Sequence, residues 1–202
     1  MMLLLLALAA GSAQDLVTQG NTAMQARHHQ EAVTLYQQAL MLRPNSPEVH
    51  YNLGDAFYRL GDYTRALDGF ERAARLRRKG RLAAMARYNS GHCTFQQSMG
   101  LVYADAQSAI ALLEQSLSSF REAARLDAGI ANDAKHNAEV VKRWLQLVQQ
   151  QLAQQLAKQR ESGAGPPSTG PGPAIDAILG KDNGIRNAAG ARVRPLTTGK
   201  DW

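Results

Sequence analysis

The chain contains a copy of itself. The segments beginning at Ala13 and Pro47 superpose without a gap at an offset of 34 residues. Leu16 falls on His50, Gly20 on Gly54, Ala23 on Phe57, Ala32 on Ala66, Tyr36 on Phe70 and Ala39 on Ala73. A fixed period of this size means a supersecondary unit that cannot bury its apolar face alone and must stack on its neighbours. Leu53, Phe57, Tyr63, Leu67 and Phe70 recur at helical spacing and supply that face. Gly54, Ala66 and Ala73 are small where two helices must approach closely. Gly61-Asp62 marks the turn between the helices, and Ser46-Pro47 reads as helix N-cap followed by proline at the first helical position.

A helix–turn–helix unit of this length, with Ala, aromatic and Ala spaced along its second helix, resembles the tetratricopeptide repeat. The resemblance implies an all-α superhelical stack. The second copy, YNLGDAFYRLGDYTRALDGFERAARL, follows the family pattern; the first departs from it at Gln19, where Leu is preferred, and at Arg27, where Gly is preferred. A third copy is altered. Tyr88-Asn89-Ser90-Gly91 echoes Tyr51-Asn52-Leu53-Gly54, and SFREAARLD at 119–127 echoes GFERAARLR at 69–77, so an insertion separates the two halves. The insertion is expected to lengthen the second helix, from about Ala104 to Leu126. The predicted organisation is repeats at about 13–46, 47–80 and 84–127, with a capping helix at 131–161, together a tetratricopeptide domain over 14–161.

The ends read differently. Leu3 to Ala10 has the length of a signal-peptide apolar region, and Gly11-Ser12-Ala13 supplies a small-residue cleavage site, with Ala7-Leu8-Ala9 as a second candidate. Residues 1–13 are therefore expected to direct the chain to the periplasm or out of the cell. Residues 162–173 hold four Gly and four Pro in 12 positions, the composition of a Gly/Pro linker. Residues 174–202 have too few large apolar side chains to fold alone. Their Ile175, Ile178 and Leu179 fit one face of a short helix, and Trp202 is a strong anchor type, so the tail is expected to be a flexible docking segment.

Composition narrows the chemistry. One cysteine excludes an internal disulfide framework and any Cys-based metal cluster. His28 and His29 are adjacent, and His92 and His136 lack an acidic cluster, so no metal site is expected. Cys93 and His92 are sequence neighbours on a helix, so their side chains diverge and no Cys/His catalytic pair is expected. No cofactor is expected, and the chain reads as a non-enzyme. The net charge is +6, and Arg72, Arg75, Arg77, Arg78, Lys79, Arg81 and Arg87 are uninterrupted by acids. Without aromatic interleaving this run does not suggest nucleic-acid binding. It reads first as a helix C-terminus with a solvated loop, and second as a weak contact with an anionic membrane surface.

By the tetratricopeptide resemblance, the first helix of each repeat lines a concave face where partner peptides lie. The residues implied at that groove are Tyr51, Asn52 and Asp55, then Tyr88, Asn89 and His92, with Asn137 from the capping helix. Asn offers a donor and an acceptor to an extended backbone; the alternative role is to satisfy groups between adjacent helices. The tail, with Ile178-Leu179, Arg194-Pro195 and terminal Lys200-Asp201-Trp202, together with the DAKHN segment at 133–137, further resembles the tetratricopeptide component of Bacteroides-aerotolerance (Bat) operons. That resemblance implies an interaction scaffold of a cell-envelope complex, with von Willebrand A-domain membrane proteins and a MoxR-type ATPase system. The alternative is a general periplasmic tetratricopeptide chaperone or a secretion or envelope-biogenesis adaptor.

Overall fold

A computed structural model describes residues 12–162, which form seven helices. These are α1 (Ala13–Gln25), α2 (His29–Leu42), α3 (Pro47–Arg59), α4 (Tyr63–Leu76), α5 (Arg81–Leu101), α6 (Ala106–Leu126) and α7 (Ala131–Ser162). The described residues contain no strand, and none of their helices is long and apolar enough to cross a membrane. Residues 1–11 of the expected leader and the docking residues Ile175, Ile178, Leu179 and Trp202 lie outside the described residues.

Short polar side chains start most of the helices. Ser12 and Asp15 form a reciprocal capping box on α1. Ser46 caps α3 ahead of Pro47, Asp62 caps α4 and Asp105 caps α6. Each cap satisfies an amide that helical hydrogen bonding leaves orphaned.

The chain divides into two compact units, with the boundary inside α5 between Ala86 and Arg87. A repeat stack has no common centre, because each hairpin touches only its neighbours. In the first unit α1 packs on α2, α2 on α3, and α3 on α4. Its core holds Ala32, Val33, Tyr36, Ala39, Ala56, Phe57, Ala66, Phe70 and Ala73, all nearly inaccessible. In the second unit α6 packs on α7 around Leu113, Phe120, Ala123, Val141, Trp144 and Val148.

Each hairpin is locked by a glycine set against an aromatic ring. A Cβ built at Gly20 would lie 2.6 Å from the Tyr36 ring, at Gly54 2.9 Å from Phe70, and at Gly91 3.0 Å from Phe120. The three pairs occupy equivalent positions, so the altered third hairpin keeps the repeat's crossing. The insertion is not confined to the second helix, as the sequence reading expected. Both α5 and α6 have 21 residues, against 13 and 14 in α3 and α4. The turn is held by the Asp105 cap at 102–105, and paired helices lengthen together because an overhanging apolar turn would have no partner.

The departure at Arg27 has a structural cost. Arg27 has φ +62°, and its repeat equivalent Gly61 has φ +77°. Both close a helix in the left-handed region, which costs an L-residue about 1–2 kcal/mol and glycine almost nothing. Arg27→Gly is therefore expected to stabilise the chain by about 1 kcal/mol, read as a raised urea midpoint with unchanged slope.

Candidate functional site

In the first unit, α1, α2 and α3 bring together a polar cluster. Asn21 Oδ1 accepts from the Tyr36 hydroxyl at 2.7 Å and from Asn52 Nδ2 at 3.1 Å. One turn along α3 from Asn52, Asp55 Oδ1 accepts from Arg59 Nε at 3.2 Å. Tyr36 and Asp55 are buried, Asn21 and Asn52 are half-buried, and Arg59 is exposed. The face therefore grades from a fixed interior of hydroxyl and carboxylate to an accessible rim of two amides and a guanidinium. Tyr51 lies wholly inside, edge-on to Phe70 with ring centroids 5.2 Å apart.

The electrostatics follow from burial. Desolvation raises the Asp55 carboxyl to about 6, against which the Arg59 guanidinium pulls downward. Burial, and then the Asp55 charge, push the Tyr36 phenol above its ordinary range, so its hydroxyl remains a donor to Asn21. The folded Asp55 pKa lies above the unfolded value, so the native state binds more protons between about pH 4 and 6. The Asp55 contribution to stability accordingly falls as pH rises through that window. Asp55→Asn is expected to raise stability by on the order of 1–2 kcal/mol at pH 7.5 and to change it little at pH 4. Urea midpoints at the two pH values check this.

In the second unit, Tyr88 and His92 on α5, Phe120 on α6 and Asn137 on α7 meet in a buried cluster. Asn137 Nδ2 donates to the Tyr88 hydroxyl at 2.8 Å and lies 3.3 Å from His92 Nε2. With the imidazole proton on Nδ1, Nε2 accepts from that amide. The rings of Tyr88, His92 and Phe120 contact one another edge to face, at centroid distances of 4.8, 5.4 and 5.0 Å. Burial lowers the His92 pKa to about 4, so the ring is neutral at physiological pH. Its sign opposes that of Asp55: the unfolded state binds the extra proton, so the His92 contribution rises with pH between about 4 and 6.5. A shallow apolar depression lies beside the cluster, lined by His92, Phe95, Phe120, Asn137, Val140 and Val141.

The structure thus corrects the accessibility expected of the groove residues. Tyr51, Asp55, Tyr88, Asn89, His92 and Asn137 are all buried, and Asn52 alone of the seven remains half-exposed. Tyr88, His92 and Asn137 satisfy one another between helices, Asp55 is taken by Arg59 on its own helix, and Tyr51 packs edge-on against Phe70. Tyr36, read in sequence only as a core aromatic, proves to be the hydroxyl partner of Asn21. Its aromatic position was legible; its donor role depended on α1 bringing Asn21 within reach. Cys93 is buried in the second unit. Among the described residues, no group of three or more His, Cys, Asp or Glu side chains converges as a metal site would require.

Residues 17–81 match the model of the tetratricopeptide repeat family. The fold is similar to that of the Yersinia enterocolitica type III secretion chaperone SycD, solved in complex with a peptide of the translocator YopD. That likeness has 16% identity and a TM-score of 0.50, covering 67% of this chain and 91% of that one. The tetratricopeptide domain of Sgt2 from Aspergillus fumigatus is also similar, with 22% identity and a TM-score of 0.42 over 79% of this chain and 90% of the other. No curated protein sequence matches the chain. The phased glycine–aromatic hairpins, the family match over 17–81 and the shared fold lead to one conclusion: residues 17–81 carry tetratricopeptide repeats, and the described residues have an all-α, tetratricopeptide-like fold.

Proposed function

We propose that the chain is a non-enzymatic protein–protein interaction scaffold acting at the cell envelope, in the periplasm or outside the cell. The observation that supports this most is the graded polar face of the first unit. Half-buried Asn21 and Asn52 are held by Tyr36 and flanked by exposed Arg59, an arrangement suited to the backbone amides of an extended segment. Tyr51 and Asp55 lie beneath this contact surface, while Tyr88, His92 and Asn137 hold together helices of the second unit. The tail residues Ile175, Ile178, Leu179 and Trp202 supply a second contact with the partner. The resemblance of that tail to the Bat family points to a membrane-anchored von Willebrand A-domain protein as partner, working with a MoxR-type ATPase.

The second reading, a periplasmic chaperone or secretion adaptor, is favoured by the fold shared with SycD, which is seen holding a translocator peptide. Affinity capture of the full chain from envelope extract separates the two. The scaffold reading expects one von Willebrand A-domain protein in stoichiometric amount. It expects recovery to fall at least about tenfold in an Asn52→Ala, Arg59→Ala variant, or on deletion of 174–202. Recovery of many unrelated unfolded clients instead would establish the chaperone reading. The leader is tested by the mature N-terminus: an intact chain beginning at Met1 in the cytosol would remove the envelope assignment.

A further inference from the structure

We infer that one edge of the first unit docks on an anionic phospholipid bilayer. Consecutive helices joined by short turns alternate in direction, so the start of α1, the end of α2, the start of α3 and the end of α4 share one edge. The Arg77 Nη2 to Glu48 Oε1 bond of 2.9 Å joins the end of α4 to the start of α3 there. This edge gathers three of the first unit's four exposed large apolar side chains, the fourth being Leu60 at the end of α3. Met41 is 81% exposed and Leu42 52%, both at the end of α2, and their repeat neighbour Leu76 at the end of α4 is 43% exposed.

The charge on the same edge has a positive surplus. In the long basic run, Arg72 pairs with Asp68, Arg75 with Glu71 and Arg77 with Glu48. Arg78, Lys79 and Arg81 follow with exposed side chains, and Arg43 is exposed at the corresponding place after α2. The acids at the edge are already engaged: Glu48 holds Arg77, and Asp15 is tied into the Ser12 capping box. Exposed Met and Leu ringed by surplus Arg and Lys is the composition that favours a membrane interface, where apolar tips enter the acyl boundary and cations meet headgroup phosphates. The polar face around Asn21, Asn52 and Arg59 would remain available to a protein partner, so this inference does not depend on that reading.

The test is sedimentation of the full chain with vesicles of phosphatidylcholine alone or with about a third phosphatidylglycerol. Binding is expected to be markedly stronger to the anionic vesicles and to weaken in high salt. The Arg78→Glu, Lys79→Glu, Arg81→Glu variant should lose about 10-fold or more of its partition to anionic vesicles, each cation being worth about fivefold near such a surface. Met41→Ser with Leu42→Ser should weaken binding at low and high salt alike. All five positions are exposed, and unchanged far-ultraviolet circular dichroism checks that the variants fold. A variant that fails this check is replaced by Arg78→Gln, Lys79→Gln, Arg81→Gln, for which the same loss is expected. Equal binding to both vesicle types, or parental binding by the charge variants, would overturn the inference and leave any membrane contact to the leader. Binding to an acidic polyglutamate peptide but not to anionic vesicles would overturn it in favour of an acidic protein partner.

Discussion

Replacing Gly69 by leucine is expected to lower the stability of the first unit by about 3 kcal/mol or more, at or beyond the upper end of ordinary overpacking. The reason is what a side chain would meet. A Cβ at Gly69 would lie 2.9 Å from Gly54 Cα, 2.9 Å from Gly54 N and 2.9 Å from His50 O. These are backbone atoms of α3, which cannot rotate away as a side chain can. Either α3 and α4 separate, opening the interface around Phe70 and Ala73, or the hairpin fails to form. Gly69→Ala is a milder test: alanine's helix propensity favours it by about 1 kcal/mol, yet the backbone contact should leave it net destabilising. Gly100 provides the control. Nothing lies within 4 Å of a Cβ built there, so Gly100→Ala should be neutral or slightly stabilising. Hydrogen exchange of the α3 and α4 amides, together with urea titration by circular dichroism, measures all three. An unchanged midpoint for Gly69→Leu would mean that α3 and α4 do not cross at Gly54 and Gly69.

Phe120→Ala is expected to cost the second unit about 3–5 kcal/mol, the range for emptying a fully buried phenylalanine site. Phe120 is 1% exposed and touches the Tyr88 and His92 rings as well as closing over Gly91. Its removal strips contact from three residues of α5 at once and leaves the His92 imidazole beside a cavity. Trp144, buried in the same unit, reports the transition by fluorescence in a background with Trp202→Phe. The Gly91 contact gives a sharper reading. Gly91→Ala should destabilise the parent chain, because its Cβ would press on the Phe120 ring at 3.0 Å. In the Phe120→Ala background the same change should cost little or stabilise. That non-additivity would establish the contact that identifies the third hairpin as a repeat. Simple additivity would remove it.

The glycine–aromatic pairs show how far local sequence carries. Gly20 with Tyr36, Gly54 with Phe70 and Gly91 with Phe120 stand at matched places in three copies, so their apposition is legible from the repeat offset. One helix start is equally local: Ser46 with Pro47 is read directly, because a cap acts only on amides within its first turn. Even the strain at Arg27 is visible as a departure from the position that the second copy fills with Gly61. Gly69 is different. Its counterpart in the first copy is Leu35, so no repeat pattern asks for glycine there; only the crossing of α3 over α4 does.

The candidate site divides along the same line. That Tyr51, Asn52, Asp55, Tyr88, Asn89, His92 and Asn137 belong to inward-facing helix surfaces is what the tetratricopeptide resemblance implies. Which of them remains open to a partner is not implied by it. Burial depends on what a neighbouring helix places opposite each side chain, and that neighbour is distant in the chain. Asn137 reaches Tyr88 across 49 residues, and Asn52 reaches Asn21 across 31. The division of the third repeat's insertion between α5 and α6 has the same origin, since one helix can lengthen only where its partner covers the new turn. Sequence by itself determined the repeat, its register, the Ser46 cap and the basic run. Tertiary structure decided which polar groups were consumed inside the stack and which cations were already paired, because both follow from contacts that no local period encodes.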